Sequence, residues 1–237
     1  MKFILMCYVG LSLVVLSSVK LRFYLYSLLN QKTMKKFIAH LKSSSPYSQS
    51  KYHKTVKLPG ELSGAYEERT WRERLHYDSE NNVYIPGTQF ANAVRSAAKY
   101  LNIQIPGKGK STFTKNFDSG IMVTDNIYIG VKKDDVEREY TCVTANGLKK
   151  DNVVGEWVYV PSDGRVGGTT RVEKCFGKIA EWEGTLEFHI LDPIITEDVF
   201  LKVLEAAGSL IGVGRFRPRN RGWYGRFEVV DYEWIDE

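Results

Sequence analysis

The sequence predicts an α+β fold, a ferredoxin-like βαββαβ core carrying inserted strands and loops. Three observations predict it. Apolar and polar residues alternate over 35–41, the period-of-two signature of a half-buried strand, and 227–235 reads as a closing strand. Residues 89–101 and the stretch after Thr196 instead repeat apolar residues at helical spacing. Between these helices lies a group of β-rich runs separated by turn residues, so the order is strand, helix, strands, helix, strand.

Each element has its own signal. In the first strand Phe37, Ala39 and Leu41 share one side, with Lys36, Ile38 and His40 on the other. Residues 42–60, rich in Ser, Lys and Tyr, are expected as a loop, and residues 65–78 form a charged segment around Trp71. In the first helix Phe90, Val94, Ala97, Ala98 and Leu101 make the apolar stripe, with Thr88 as N-cap. Residues 105–116 are a basic, Gly- and Ser-containing segment, expected as a mobile loop that touches phosphate through Lys108 and Lys110. Strands are expected at 121–131, 139–144 and 153–160, with turns at 132–135 and Asn146-Gly147. Residues 164–170, with three glycines, are expected as a loop, and 171–182 with 184–191 as a hairpin turning near Glu183-Gly184. Thr196 caps the second helix, whose apolar face is Val199, Phe200, Val203, Leu204 and Ala207 and whose stop is Gly208.

Composition excludes several classes. At 237 residues, 43% hydrophobic, 13% aromatic and 26% charged, the chain is not disordered, collagenous or multi-spanning. Its cysteines, Cys7, Cys142 and Cys175, are odd in number and lack CxxC spacing, which excludes a disulfide framework and a cysteine zinc site. A reducing, cytoplasmic compartment is expected. His40, His53, His76 and His189 show neither HxxxH nor HExxH spacing, so no metal is expected. There is no GxSxG elbow and no Rossmann fingerprint, and Gly107-Lys108-Gly109-Lys110-Ser111 lacks Walker spacing, so no cofactor is expected either.

The net charge of +5 hides an asymmetry. The first 60 residues hold ten Lys and Arg and no acid, while the remainder holds 23 basic and 28 acidic residues. Residues 1–33 admit three readings. They are an upstream extension ending before Met34, a signal or anchor segment around the apolar run 3–16, or a buried helix. Residues 34–237 are expected as a single domain that folds without them, and a membrane is a partner only under the second reading.

The segment that carries chemistry is 208–227, GSLIGVGRFRPRNRGWYGRF. It combines Gly212, Gly214, Gly222 and Gly225 with Arg215, Arg217, Arg219, Arg221 and Arg226, and with Phe216, Trp223, Tyr224 and Phe227, and it contains no acid. Glycines allow close backbone approach, arginines hold phosphates by paired hydrogen bonds, and aromatics stack on bases. In an extended conformation Arg215, Arg217, Arg219 and Arg221 project to one side as a row for phosphates. The bland alternative is a solvated basic hairpin whose aromatics pack in the core.

With Ile85-Pro86-Gly87 before a helix containing Arg95, and this glycine-rich loop near the C-terminus, the chain resembles the RAMP superfamily, the repeat-associated proteins of CRISPR systems. The resemblance implies a ferredoxin-like fold related to RNA-recognition motifs. It implies a glycine-rich loop, here Gly212-Val213-Gly214 with Gly222 to Phe227, that lies against the sheet and helps hold guide RNA. The continuation Thr88 to Arg95 departs from the usual Ser-rich, Gly-Ala-Arg one.

The preferred reading is a protein that binds an RNA or single-stranded nucleic-acid backbone, with copies associating along it, rather than an enzyme. The alternatives are a metal-independent endoribonuclease of the same superfamily, with His53 as general base, and a secreted or membrane-anchored protein.

Overall fold

The computed structural model describes residues 34–138, 152–162 and 170–236. The expected strand at 139–144, the Asn146-Gly147 turn, residues 164–169 and the readings of 1–33 lie outside them. From β1 (Lys35–Ser43) the chain enters β2 (Tyr47–Ser48), helix α1 (Ser63–Thr70), the 3-10 turn Trp71–Arg74 and β3 (Asn82–Pro86). Helix α2 (Gly87–Leu101), the short α3 (Thr114–Ser119) and β4 (Ile121–Val123) follow. Next come β5 (Asn126–Lys132), β6 (Glu137–Arg138), β7 (Val153–Pro161), β8 (Arg171–Ile179) and β9 (Glu183–Ile190). Helix α4 (Glu197–Ala206) and β10 (Phe227–Asp236) are last.

The result is a mixed α/β fold whose sheets are antiparallel but for the short parallel pair of β6 and β7. One four-stranded sheet has the order β10-β1-β9-β4, every neighbouring pair antiparallel. Phe37, Ala39 and Leu41 of β1 stand on its buried face beside Phe188 and Leu186 of β9. Phe200 of α4 meets them, 4.7 Å from Phe37 and 5.4 Å from Phe188 between ring centroids. Phe90 of α2 meets Trp182 and Phe227 at 5.4 and 5.3 Å. Each such ring, taken wholly out of water, contributes about 1.5 to 3 kcal/mol. The second sheet has the order β2-β8-β7-β6, and Trp71 and Leu75 lie over its paired Gly155 and Gly177. A third pair joins β3 to β5.

Several expectations are corrected. The run 121–131 is two strands, because the chain turns at Thr124-Asp125 and sends β4 and β5 to different sheets. The expected hairpin at 171–191 is not one, since β8 pairs with β2 and β7 while β9 pairs with β1 and β4. Between them the buried Trp182 ties its backbone N–H to Ser43 Oγ at 2.9 Å and its carbonyl to the Ser43 N–H at 2.8 Å, which carries the chain from one sheet to the other. Thr88 is not the cap of α2. The helix starts at Gly87, whose N–H donates to Asn126 Oδ1 at 3.1 Å, so β5 supplies the cap from outside the local sequence.

Gly208 does not stop the second helix. The chain continues from α4 through a wider π-type turn, Ala207–Ile211, and ends at Gly212, where φ is +70°. Gly208 is needed for a different reason: a Cβ there would collide with the Phe227 carbonyl oxygen, so this glycine lets the helix lie directly on β10. The segment 105–116 is ordered by backbone hydrogen bonds from Ile105 to Ser111 and from Phe113 to Ile103, and its last residues begin α3. No helix among the described residues is long and apolar enough to cross a membrane.

Candidate nucleic-acid interface

Residues 212–226 fold back on themselves as a compact hairpin rather than an extended strand. The Val213 N–H donates to the Gly225 carbonyl at 2.9 Å, Tyr224 to Phe216 at 3.0 Å, and Gly222 to Arg217 at 3.1 Å. A 3-10 turn, Pro218–Asn220, makes the tip, and Phe216 and Arg221 take positive φ of 50° and 64°. The row of four arginines expected on one side is therefore broken. A proline that fixes φ and two left-handed residues turn the chain too sharply for strand alternation.

The hairpin is docked on the second sheet through β2. The Arg215 N–H donates to the Ser48 carbonyl at 3.0 Å, and the Gly225 N–H to the Pro46 carbonyl at 2.7 Å. At Gly214, with φ +75°, an added Cβ would stand 2.6 Å from the Ser48 oxygen and 2.5 Å from the Tyr47 ring. Only glycine both adopts that φ cheaply and admits the neighbouring backbone so closely. Gly222 lies against the Phe216 carbonyl and Gly225 against Val213 in the same manner.

This docking divides the arginines into two groups. Arg215 stacks on Phe176 of β8, its guanidinium carbon 3.2 Å from the ring centroid, and on Phe216 at 4.6 Å. Burial lowers its pKa to about 10, which leaves it charged at pH 7, and Glu156 opposes the shift. Arg226 donates to the carbonyls of Ser209 and Trp223 at 3.2 and 3.4 Å, so its guanidinium is spent on holding the hairpin closed. Arg219 and Arg221 are exposed at the tip. Arg217 is half-buried, and its Nε is shielded with no hydrogen-bond partner among the described residues. Burial, then the neighbouring positive charge of Arg219, holds its pKa down.

The aromatics divide likewise. Tyr224 is buried and donates its hydroxyl to Glu156 Oε1 at 2.8 Å, the oxygen that also accepts from Lys178 Nζ at 3.0 Å. Trp223 is 58% exposed and Phe216 44% exposed, and both rings stand edge-on to Tyr224, at 4.8 and 6.1 Å. Their indole and phenyl surfaces face water while Tyr224 anchors them.

Not all the expected site residues come together. Lys108 and Lys110 are exposed on the 105–111 turn, and no hydrogen bond or ion pair links them to the hairpin among the described residues. His53 lies elsewhere, half-buried beside Tyr66, and burial followed by the Arg74 charge lowers its pKa. No cluster of metal-ligating residues occurs among the described residues. Sequence reasoning missed Phe176, Glu156 and Lys178, which hold the hairpin from β7 and β8. Nothing local in a strand sequence announces a distant loop as its partner.

No protein-family profile matches the chain, and no curated protein matches it by sequence. Among solved structures it is similar to a chain in the cryo-EM structure of the type III-B Cmr-beta bound to cognate target RNA, at 15% identity and a TM-score of 0.43, covering 92% of this chain and 67% of that one. It is also similar to Cmr6 from Pyrococcus furiosus, at 12% identity and a TM-score of 0.41, covering 83% and 99%. At these values the likeness decides nothing about what this chain binds.

Proposed function

We propose that this protein binds the backbone and bases of RNA or another single-stranded nucleic acid through the tip of the 212–226 hairpin, as a divergent RAMP-like protein. The observation that carries the reading is the exposed set Phe216, Arg219, Arg221 and Trp223, held on a hairpin that Arg215, Tyr224 and Arg226 fix in place. Exposed aromatic faces beside exposed guanidinia are what base stacking and phosphate contact require together. Supporting the ferredoxin-like part of the reading is the strand order, in which the last, first, third and second strands of a βαββαβ unit lie side by side.

The open face of that sheet is a poor nucleic-acid surface, which favours the hairpin. Strand register puts Glu228, Asp231 and Glu233 of β10 with Glu183 and Glu187 of β9 on the face opposite Phe37, against only Lys36 and Lys42 of β1. RNA-recognition motifs stack bases on aromatics of this face, and here it carries Ile38, His40, Thr185, His189 and Ile235 instead. Five carboxylates would repel a phosphate backbone. Association of copies along a bound strand and a cytoplasmic setting belong to the same reading.

A binding titration tests it. A labelled 20-mer of RNA and one of DNA are added to the full chain and anisotropy is followed. The reading expects saturable binding at low salt, weakened by about 1 to 3 kcal/mol in Trp223→Ala. Absence of binding to either strand by the folded protein refutes it.

A further inference from the structure

A cavity of about 550 Å³ opens between residues 50–53, α1 and the start of β8. That volume is within the usual range of small-ligand sites, about 300 to 1,000 Å³. Its wall joins aromatic rings and hydroxyls with three cations and two carboxylates. The His53 and Tyr66 rings stack at 6.3 Å between centroids, and Tyr52, 83% exposed, stands beside them. Lys51, Arg74 and Lys174 carry positive charge against the carboxylates of Glu67 and Glu173, and the Arg74 charge is met by Glu67. Val172 is the only aliphatic residue among the described residues that line it, so an apolar ligand finds little there to cover.

Two features of this cavity are prepared in advance. Arg74 is ion-paired with Glu67 and donates to the Cys175 carbonyl at 3.1 Å, while Glu67 accepts the Cys175 N–H at 2.8 Å, so the cation is fixed without a ligand. His53 Nδ1 is shielded from water with no hydrogen-bond partner among the described residues. With its pKa lowered, the imidazole is neutral at pH 7 and has one donor and one acceptor nitrogen, whose roles the two tautomers exchange. The edge of a nucleobase carries both kinds of partner.

We propose that this cavity is a site for one nucleoside monophosphate unit, with the base against Tyr66 and Tyr52, its edge on His53, and its phosphate on Lys174. The unit is either the end of a bound strand or a free nucleotide. The first source rests on the hairpin reading above: Arg74 and Arg215 lie over the same Phe176 ring, at 5.4 and 3.2 Å, so cavity and hairpin are neighbours.

The test uses the full chain and three probes: the four ribonucleoside 5′-monophosphates, inorganic phosphate, and 20-mer RNA with a 5′-phosphate or a 5′-hydroxyl. At least one monophosphate binds in calorimetry, about tenfold or more tighter than inorganic phosphate, and His53→Ala and Lys174→Gln each weaken it about tenfold while Trp223→Ala does not. If the source is a strand end, the phosphorylated 20-mer binds more tightly than the hydroxyl form and Lys174→Gln abolishes the difference. If it is a free nucleotide, the two 20-mers bind alike; either result supports the site. The proposal is overturned if no monophosphate binds up to millimolar concentration, or if binding survives both substitutions in folded protein. Retained binding of 20-mer RNA alongside a failed nucleotide titration removes the cavity and leaves the hairpin reading, and the reverse pattern does the opposite. Cleavage of the RNA in EDTA that is lost in His53→Ala also overturns it, because the cavity is then a reaction site.

Discussion

The Arg215 guanidinium lies 3.2 Å from the centroid of the Phe176 ring, joining the glycine hairpin to the middle of β8. Arg74 approaches the same ring at 5.4 Å. One phenyl ring is thus flanked by two cations from parts of the chain 141 residues apart in number. Arg215 positions the hairpin, and the arginines beyond it are left to meet solvent.

The first prediction separates these two kinds of arginine by stability. Arg215→Lys loses the planar stack, for which a partly desolvated cation on a ring contributes about 0.5 to 2 kcal/mol. Urea unfolding of that variant should show a loss of this size, whereas Arg219→Lys, exposed at the tip, should stay within about 0.5 kcal/mol of the parent. Equal effects would remove the division.

Arg95 makes the second prediction. From α2 it donates through Nε to the Asp118 carbonyl at 3.1 Å, through Nη2 to the Ile121 carbonyl at 2.6 Å, and through Nη1 to Asn92 Oδ1 at 3.0 Å. These bonds tie α2 to the end of α3 and to β4. Lysine keeps the charge but cannot reach all three acceptors, so Arg95→Lys should cost about 1 to 3 kcal/mol in thermal or urea unfolding. Nucleic-acid affinity of the folded variant should not change.

The third prediction is a pH dependence. Burial, then the nearby Lys51 charge, holds His76 down to about pKa 4, against an ordinary value of 6.5. The unfolded chain therefore binds the proton more readily. The stability that depends on neutral His76 is complete above pH 6.5 and is lost as pH falls from there toward 4. Allowing for its partial exposure, the change is on the order of 1 to 2 kcal/mol. Chemical unfolding at pH 7.5, 6, 5 and 4 should show this loss, and His76→Phe should flatten it. A parent whose stability is constant from pH 7 to 4.5 contradicts the assignment.

What could be read from the sequence followed local patterns. Alternation put Phe37, Ala39 and Leu41 on one face of β1, and helical spacing found α2 and α4. The cluster of glycine, arginine and aromatic residues marked the hairpin, because its composition is itself unusual. Partners fixed by tertiary packing escaped. Asn126 capping Gly87, Trp182 crossing between sheets, and Phe176 under Arg215 are each distant in sequence from what they hold. The row of four arginines failed for a local reason that was present in the letters. Pro218 between Arg217 and Arg219 breaks strand alternation, and the turn it starts sends Arg219 and Arg221 outward while Arg215 stays under the loop.

The central claim is that the hairpin tip holds a nucleic-acid backbone, and the salt dependence of affinity tests it most directly. Each phosphate neutralised on a single strand contributes about −0.7 to the slope of log affinity against log salt. The folded double variant Arg219→Gln/Arg221→Gln, titrated with 20-mer RNA at several salt concentrations, should have a slope shallower than the parent's by about 1.4. A slope equal to the parent's would place the bound strand away from the hairpin.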